Sequence, residues 1–328
     1  RQRQMCIRDR IKTTLVGIGQ IFLQDNGWSG LLITIGMFFS HWTLGVTCFL
    51  GSLIGTLTAK ALKAKEGDIE FGLYGFNASL AYMCVMFTFA TVDTHPTLNG
   101  TTPLLWALGA VAAVIATVIM HVFVTKGWTA FTFPFVVTCW VLCWAFAKYG
   151  VLGLEQTTPF LPDYEGTIDS ITTPFFGWAE VNFGAKFITG VFIFLALAVS
   201  NPSVAMWGTA AGVVGPLVAY YVLGIPVDEI VNEAGKTTWG TTLANGIYSF
   251  SPILVACAFV TKSGVSRASF IYIMVGILLA VLIHYAVGKY MATYTIGFIV
   301  ATWIMEAVQK AVNKSNPNTE ELVKSLNP

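Results

Sequence analysis

Charge is what this sequence is short of. Only 11% of its 328 residues are Asp, Glu, Lys or Arg, less than half the roughly 25% of an ordinary soluble domain. Together with 55% apolar residues and a mean hydropathy of +0.70, that shortage excludes a water-soluble globule. The net charge of +1 and the lack of a long Lys/Arg run exclude a track for polyanions, so no nucleic-acid partner is expected. No large fixed charge selects the solute of this chain. Histidine is scarce as well, at four residues. No HExxH, no GxSxG and no carboxylate pair falls within an apolar stretch, which argues against an enzyme. The six cysteines (Cys6, Cys48, Cys84, Cys139, Cys143 and Cys257) show no metal-ligand spacing. Cys139 and Cys143 share a helix face and read as small apolar core residues. No metal, cofactor or redox role follows.

What is abundant is apolar sequence, in stretches near the ~20 residues that cross a bilayer as helix. They cover 12–25, 28–60, 69–91, 103–125, 129–149, 187–223, 240–261, 267–287 and 290–309. The runs at 28–60 and 187–223 are too long for one straight span, the first being interrupted near Ser40-His41-Trp42. Roughly ten membrane segments are therefore expected. An outer-membrane barrel would alternate polar and apolar residues, so the fold class is all-α and polytopic.

Phe71–Leu80, reading FGLYGFNASL, opens one of these stretches with two glycines and the polar pair Asn77 and Ser79. Such residues suit backbone that bends or ends inside the protein, where carbonyls and amides face a pore or a solute. The tract returns 174 residues later, where Gly72, Tyr74, Phe76 and Leu80 become Gly246, Tyr248, Phe250 and Leu254. At an offset of 160, Gly17, Gly30, Ser40, Gly55 and Ala59 match Gly177, Gly190, Ser200, Gly215 and Ala219, and Gln20 falls on Glu180. At an offset of 163, His121, Lys126, Thr132, Phe135 and Trp140 match His284, Lys289, Thr295, Phe298 and Trp303. Three blocks in one order imply an internal duplication. An odd number of spans per half inserts the halves in opposite orientations, giving an inverted repeat with about five membrane helices plus a re-entrant or broken segment in each half.

The expected organisation is a tail over 1–12, either a basic cytoplasmic tail or a stretch foreign to the natural protein, then a first repeat over 13–149 and a polar connection over 150–176. A second repeat over 177–309 and a polar tail over 310–328 complete it. Basic residues near both ends favour cytoplasmic termini.

GIGQIFLQDNGWSG (17–30), GLYGFNASLA (72–81) and FTFPFVVTCW (131–140) together resemble the urea transporter family of bacteria and animals. The resemblance covers nearly the whole chain past residue 12 and is stronger in the first half; in the second, Asn77 is answered by Ser251 and Pro134 by Gly297. It implies a homotrimer in a bacterial inner membrane, each protomer holding its own pore for passive, channel-like flow of urea. Carried over by position, it implies a flat slot of Phe76 and Phe250 with Leu80, Leu254 and Val181. It implies oxygen acceptors at Gln20 and Glu180, and central hydroxyls at Thr132 and Thr295.

The chemistry suits such a solute. Urea is planar and neutral with several N–H donors, and each one stripped of water without a new partner costs about 1 to 3 kcal/mol. A row of acceptors offsets that loss while aromatic faces cover the plane. Plainer readings stand beside these. The phenylalanines can pack helices, the threonines can bond back within their own segments, and Glu180 can sit at an interfacial helix end. His121 and His284 correspond across the repeat. They read first as packing residues and otherwise as proton carriers, which would make the chain a proton-coupled secondary transporter. A channel for ammonia or another small neutral solute is the remaining alternative.

Overall fold

The computed structural model describes residues 7–90, 102–154, 166–227 and 242–315, and all regular structure among them is helical. Residues 1–6 of the expected tail, 155–165 of the connection and 316–328 of the C-terminal tail lie outside the described residues, as does 91–101 of the loop before Pro103. In the first half the helices are α1 (Ile7–Gly19), α2 (Gly27–Ser40), α3 (Trp42–Ala61), α4 (Glu66–Glu70), α5 (Gly75–Phe89) and α6 (Pro103–Lys126). A last helix runs from α7 (Phe133–Cys139) through a π-helical segment, Trp140–Ala145, into α8 (Phe146–Tyr149). The second half has α9 (Thr172–Glu180), α10 (Phe187–Ser200), α11 (Pro202–Leu223), α12 (Phe250–Ser263), α13 (Arg267–Gly288) and α14 (Ile296–Ser315).

The two overlong apolar runs each fold as a helix pair broken at one extended residue. His41 at φ −161° separates α2 from α3, and its ring nitrogen accepts from the Thr43 amide. Asn201 at φ −150° separates α10 from α11, where its side chain accepts from the amides of Ser203 and Val204 and Pro202 follows. Each break frees amides at the start of the next helix, and the side chain at the break supplies the missing acceptor.

Among the described residues, five segments are long and apolar enough to cross a membrane: Trp42–Ala61, Pro103–Lys126, Pro202–Leu223, Leu243–Ser263 and Arg267–Gly288. Four shorter apolar helices accompany them, at Gly27–Ser40, Gly75–Phe89, Phe133–Tyr149 and Phe187–Ser200. Large apolar side chains such as Val111, Val118 and Val122 on α6 and Phe270, Met274 and Leu278 on α13 are exposed, an arrangement lipid solvates and water does not. The chain is an all-α, multi-pass integral membrane protein. At its centre lie α5 and α12, predominantly apolar and almost wholly buried, as a helix without a continuous polar face must be.

The halves meet through contacts that occur twice with the roles exchanged. Trp140 Nε1 donates to Ala292 O at 2.7 Å, and Trp303 Nε1 donates to Thr129 O at 2.9 Å. Ser29 Oγ donates to Ala196 O at 2.6 Å, and Thr189 Oγ1 donates to Gly36 O at 2.9 Å. Phe131 packs edge-on against Phe298 at 5.1 Å and Phe135 against Tyr294 at 5.5 Å. In each pair the residues exchange under the 160 or 163 offset, which is the pattern of an isologous, twofold contact.

The repeated glycines serve one close approach in each half. Gly72 has φ +80° and Gly246 has φ +90°, and a methyl on either would lie 2.7 Å from Gly17 N or 2.5 Å from Gly177 N. The chain turns there against the backbone of the first helix of its own half, which only glycine permits.

Candidate functional site

Three kinds of local break build the site, one copy in each half. The first follows α1, where a 3₁₀ turn, Gln20–Phe22, ends at Leu23 with φ 58°. Its counterpart follows α9 and ends at Phe183 with φ 62°. The second is the glycine-bearing turn before α5 and before α12, at 71–74 and 246–249. The third precedes α7 and α14, where Phe131 at φ 46° and Tyr294 at φ 43° turn the chain into a helix beginning two residues on. Left-handed backbone is costly for large side chains, and both halves hold it at matched positions.

These breaks bring Thr132 and Thr295 face to face, Oγ1 to Oγ1 at 2.7 Å and both buried. Because the two residues exchange under the 163 offset, the pair sits on the twofold relation itself. The reading in which each threonine bonds back within its own segment is not what forms: the two hydroxyls bond to each other. The loop holding Thr132 is clamped by Asn77, whose Nδ2 donates to Phe131 O and whose Oδ1 accepts from Phe135 N, each at 3.0 Å. Ser251, in the same place in the second half, is too short to repeat that clamp, and its buried hydroxyl bonds no protein group.

A cavity of about 330 Å³ opens beside the pair, lined by Gln20, Ile21, Phe71, Phe76, Met120, Phe131, Thr132 and Phe298 among others. Gln20 Nε2 donates to Phe71 O at 2.9 Å, which leaves the carbonyl Oε1 as the group that can accept from a solute. Among the described residues the wall carries no charged side chain. Such a lining offers little to a hydrated ion and several partial contacts to a small polar molecule.

Of the residues singled out from sequence, Gln20, Phe76 and Thr132 share this cavity, and Thr295 joins through its bond to Thr132. Phe250, Leu254 and Val181 are buried at the matched positions of the second half, and Leu80 is fully buried without lining the cavity. Glu180 is half-buried at the end of α9. The two histidines both pack on the tyrosine of the repeated tract. His121 Nδ1 lies 3.1 Å from Tyr74 Oη, while the His284 ring packs tilted against Tyr248, centroids 4.6 Å apart, and its Nε2 lies 3.4 Å from Thr293 Oγ1.

Three features escaped the reading from sequence. Ile21 lines the cavity next to Gln20, and the 160 offset from Val181 would have found it. Phe131 and Phe298 face the cavity because the left-handed turn aims the first of them inward, and no periodicity announces that. Asn182, two residues past Glu180, is fully buried with neither side-chain amide atom bonded to the protein.

A family model described as urea transporter matches residues 11–310. Urea transporter 1 of mouse is 38% identical over 87 residues, 26% of this chain and 23% of that protein. Urea transporter 1 of sheep is 32% identical over 127 residues, 38% of this chain and 31% of that protein. The matched stretches thus span about a quarter to a third of the length of these relatives.

Proposed function

Because the chain belongs to the urea transporter family, we propose that it carries urea passively across a membrane, down its gradient, through one pore within each chain. The observation that carries this reading is the cavity whose described lining is uncharged and joins Gln20, Phe76 and Thr132, the last of them bonded to Thr295. Urea enters with its plane against Phe76 and Ile21, one amino group donating to Gln20 Oε1. Backbone carbonyls and the hydroxyl pair supply further acceptors deeper in. The second half contributes the mirrored arm, with Phe250, Leu254 and Val181 as its apolar wall and Glu180 as its acceptor.

The two arms meet at the threonine pair because the halves form an inverted repeat, which sets matched openings on opposite sides of the membrane. Shallow, repeated acceptors keep the solute from being trapped, as rapid conduction requires. The histidines hold the repeated tyrosines in place and do not ferry protons, a reading supported by the contacts of both rings with Tyr74 and Tyr248. The assembly is a homotrimer in a bacterial inner membrane, and no reaction is catalysed.

Stopped-flow light scattering on proteoliposomes tests this. Rapid entry of urea, indifferent to an imposed pH difference, is the expected outcome. Uptake that accumulates urea only with a proton gradient would overturn the passive reading and move attention to His121, His284 and Glu180.

A further inference from the structure

Three cysteines converge away from the cavity. Cys84 on α5, Cys139 at the end of α7 and Cys143 in the π-helical segment place their sulfurs within 4.8 Å of one another, all three fully buried. The sequence showed only the last two on one face; Cys84 arrives through the packing of α5 against α7. The π segment matters here, because π-helical insertions recur where a helix re-aims side chains for a function.

Packing within the repeat does not account for three thiols. The matched positions of the second half are Ala258, Thr302 and Glu306, and Glu306 there forms an ion pair with Lys262 at 2.9 Å. The cluster belongs to the first half alone.

We propose that Cys84, Cys139 and Cys143 form a three-thiol site that captures trivalent arsenic, delivered as neutral arsenous acid. Thiolates select soft, thiophilic ions, and charge selects among those. Three thiolates around a monovalent ion leave two net negative charges, and around a divalent ion one, in a place where unpaired charge is heavily penalised. A trivalent centre leaves none. Zinc would also require a fourth ligand to close its tetrahedron. The step balances without any oxidant: As(OH)₃ and three Cys–SH give As(S–Cys)₃ and three waters. Each S–H proton leaves with a departing hydroxide, and neither arsenic nor sulfur changes oxidation state. The site lies against the constriction, since Tyr294 Oη donates to Cys139 O at 3.4 Å and Thr295 is the next residue.

The test uses the full chain, reduced with a phosphine, incubated with sodium arsenite and desalted. Mass spectrometry should find about one arsenic per chain, and X-ray absorption at the arsenic edge should find three sulfur neighbours. Cys84→Ser, Cys139→Ser and Cys143→Ser should each cut retained arsenic at least tenfold, while Cys48→Ser and Cys257→Ser leave it unchanged. Should a serine variant not yield monodisperse protein, the absorption spectrum of the unmodified chain decides. Two or fewer sulfur neighbours, or no arsenic retained, overturns the proposal, as does equal loss with Cys48→Ser. None of these readouts depends on urea transport.

Discussion

At the scale of single residues, the Thr132–Thr295 bond separates a structural contribution from a functional one. Removing one hydroxyl leaves the other buried without its partner, at a cost of about 1 to 3 kcal/mol, whereas removing both is nearer to neutral. We therefore expect Thr132→Val and Thr295→Val each to lower thermal stability in detergent, and the double variant to be more stable than the sum of the two. Urea flux should behave differently, falling up to about tenfold in each single variant, the equivalent of ~1.4 kcal/mol, and further in the double. Flux in the double equal to the unmodified chain would show that the hydroxyls only hold the loops together. Glu180→Gln keeps an acceptor oxygen and removes the charge. Retained flux in proteoliposomes is the expected outcome, and collapse would mean that the second arm requires a carboxylate.

At the scale of elements, the halves solve one packing problem with the same atoms from opposite helices. In the first half Ser52 on α3 donates to Thr14 O and fills the space left by Gly75 on α5. In the second half the serine comes from the other helix: Gly212 stands on α11 where Ser52 stands on α3, and Ser249, just before α12, donates to Gly212 O and packs against Gly177. Gly75→Ser should destabilise the protein by about 1 to 3 kcal/mol through overpacking, and adding Ser52→Gly should restore most of it. Thermal denaturation of the four chains gives the coupling, and simple additivity would dismiss the exchange. This feature was only half legible beforehand. The offsets named the four positions, but a glycine facing a serine across two helices has no signature in either helix. The breaks were more legible, because His41 and Asn201 interrupt runs too long for one span and carry side chains that can cap the next helix.

At the scale of the molecule, the exchange of Trp140 and Trp303 across the interface, together with Ser29 and Thr189, makes the two halves partners rather than neighbours. Each bond contributes about 1 kcal/mol, and the larger share comes from the apolar faces they align. We expect the halves, coexpressed as two polypeptides divided between residues 155 and 165, to copurify and to conduct urea in proteoliposomes. Trp140→Phe combined with Trp303→Phe should weaken that association. Halves that never copurify would mean that the covalent connection, rather than the interface, holds the pathway together.

The sequence by itself determined what lipid and chain connectivity enforce: an all-helical membrane protein, its long breaks and the offset that matches Thr132 with Thr295, since hydropathy and offset are properties of one dimension. It also brought Gln20, Phe76 and the threonines to notice, because repeats mark positions and polar groups in apolar runs stand out. Only the tertiary structure decided that Phe131 and Phe298 face the cavity, that Asn77 clamps one half and not the other, and that Cys84 meets Cys139 and Cys143. Those facts depend on how far each helix is rotated about its axis and on left-handed turns at single residues. Rotation is set by the close packing of several helices at once, and no single stretch of sequence contains it.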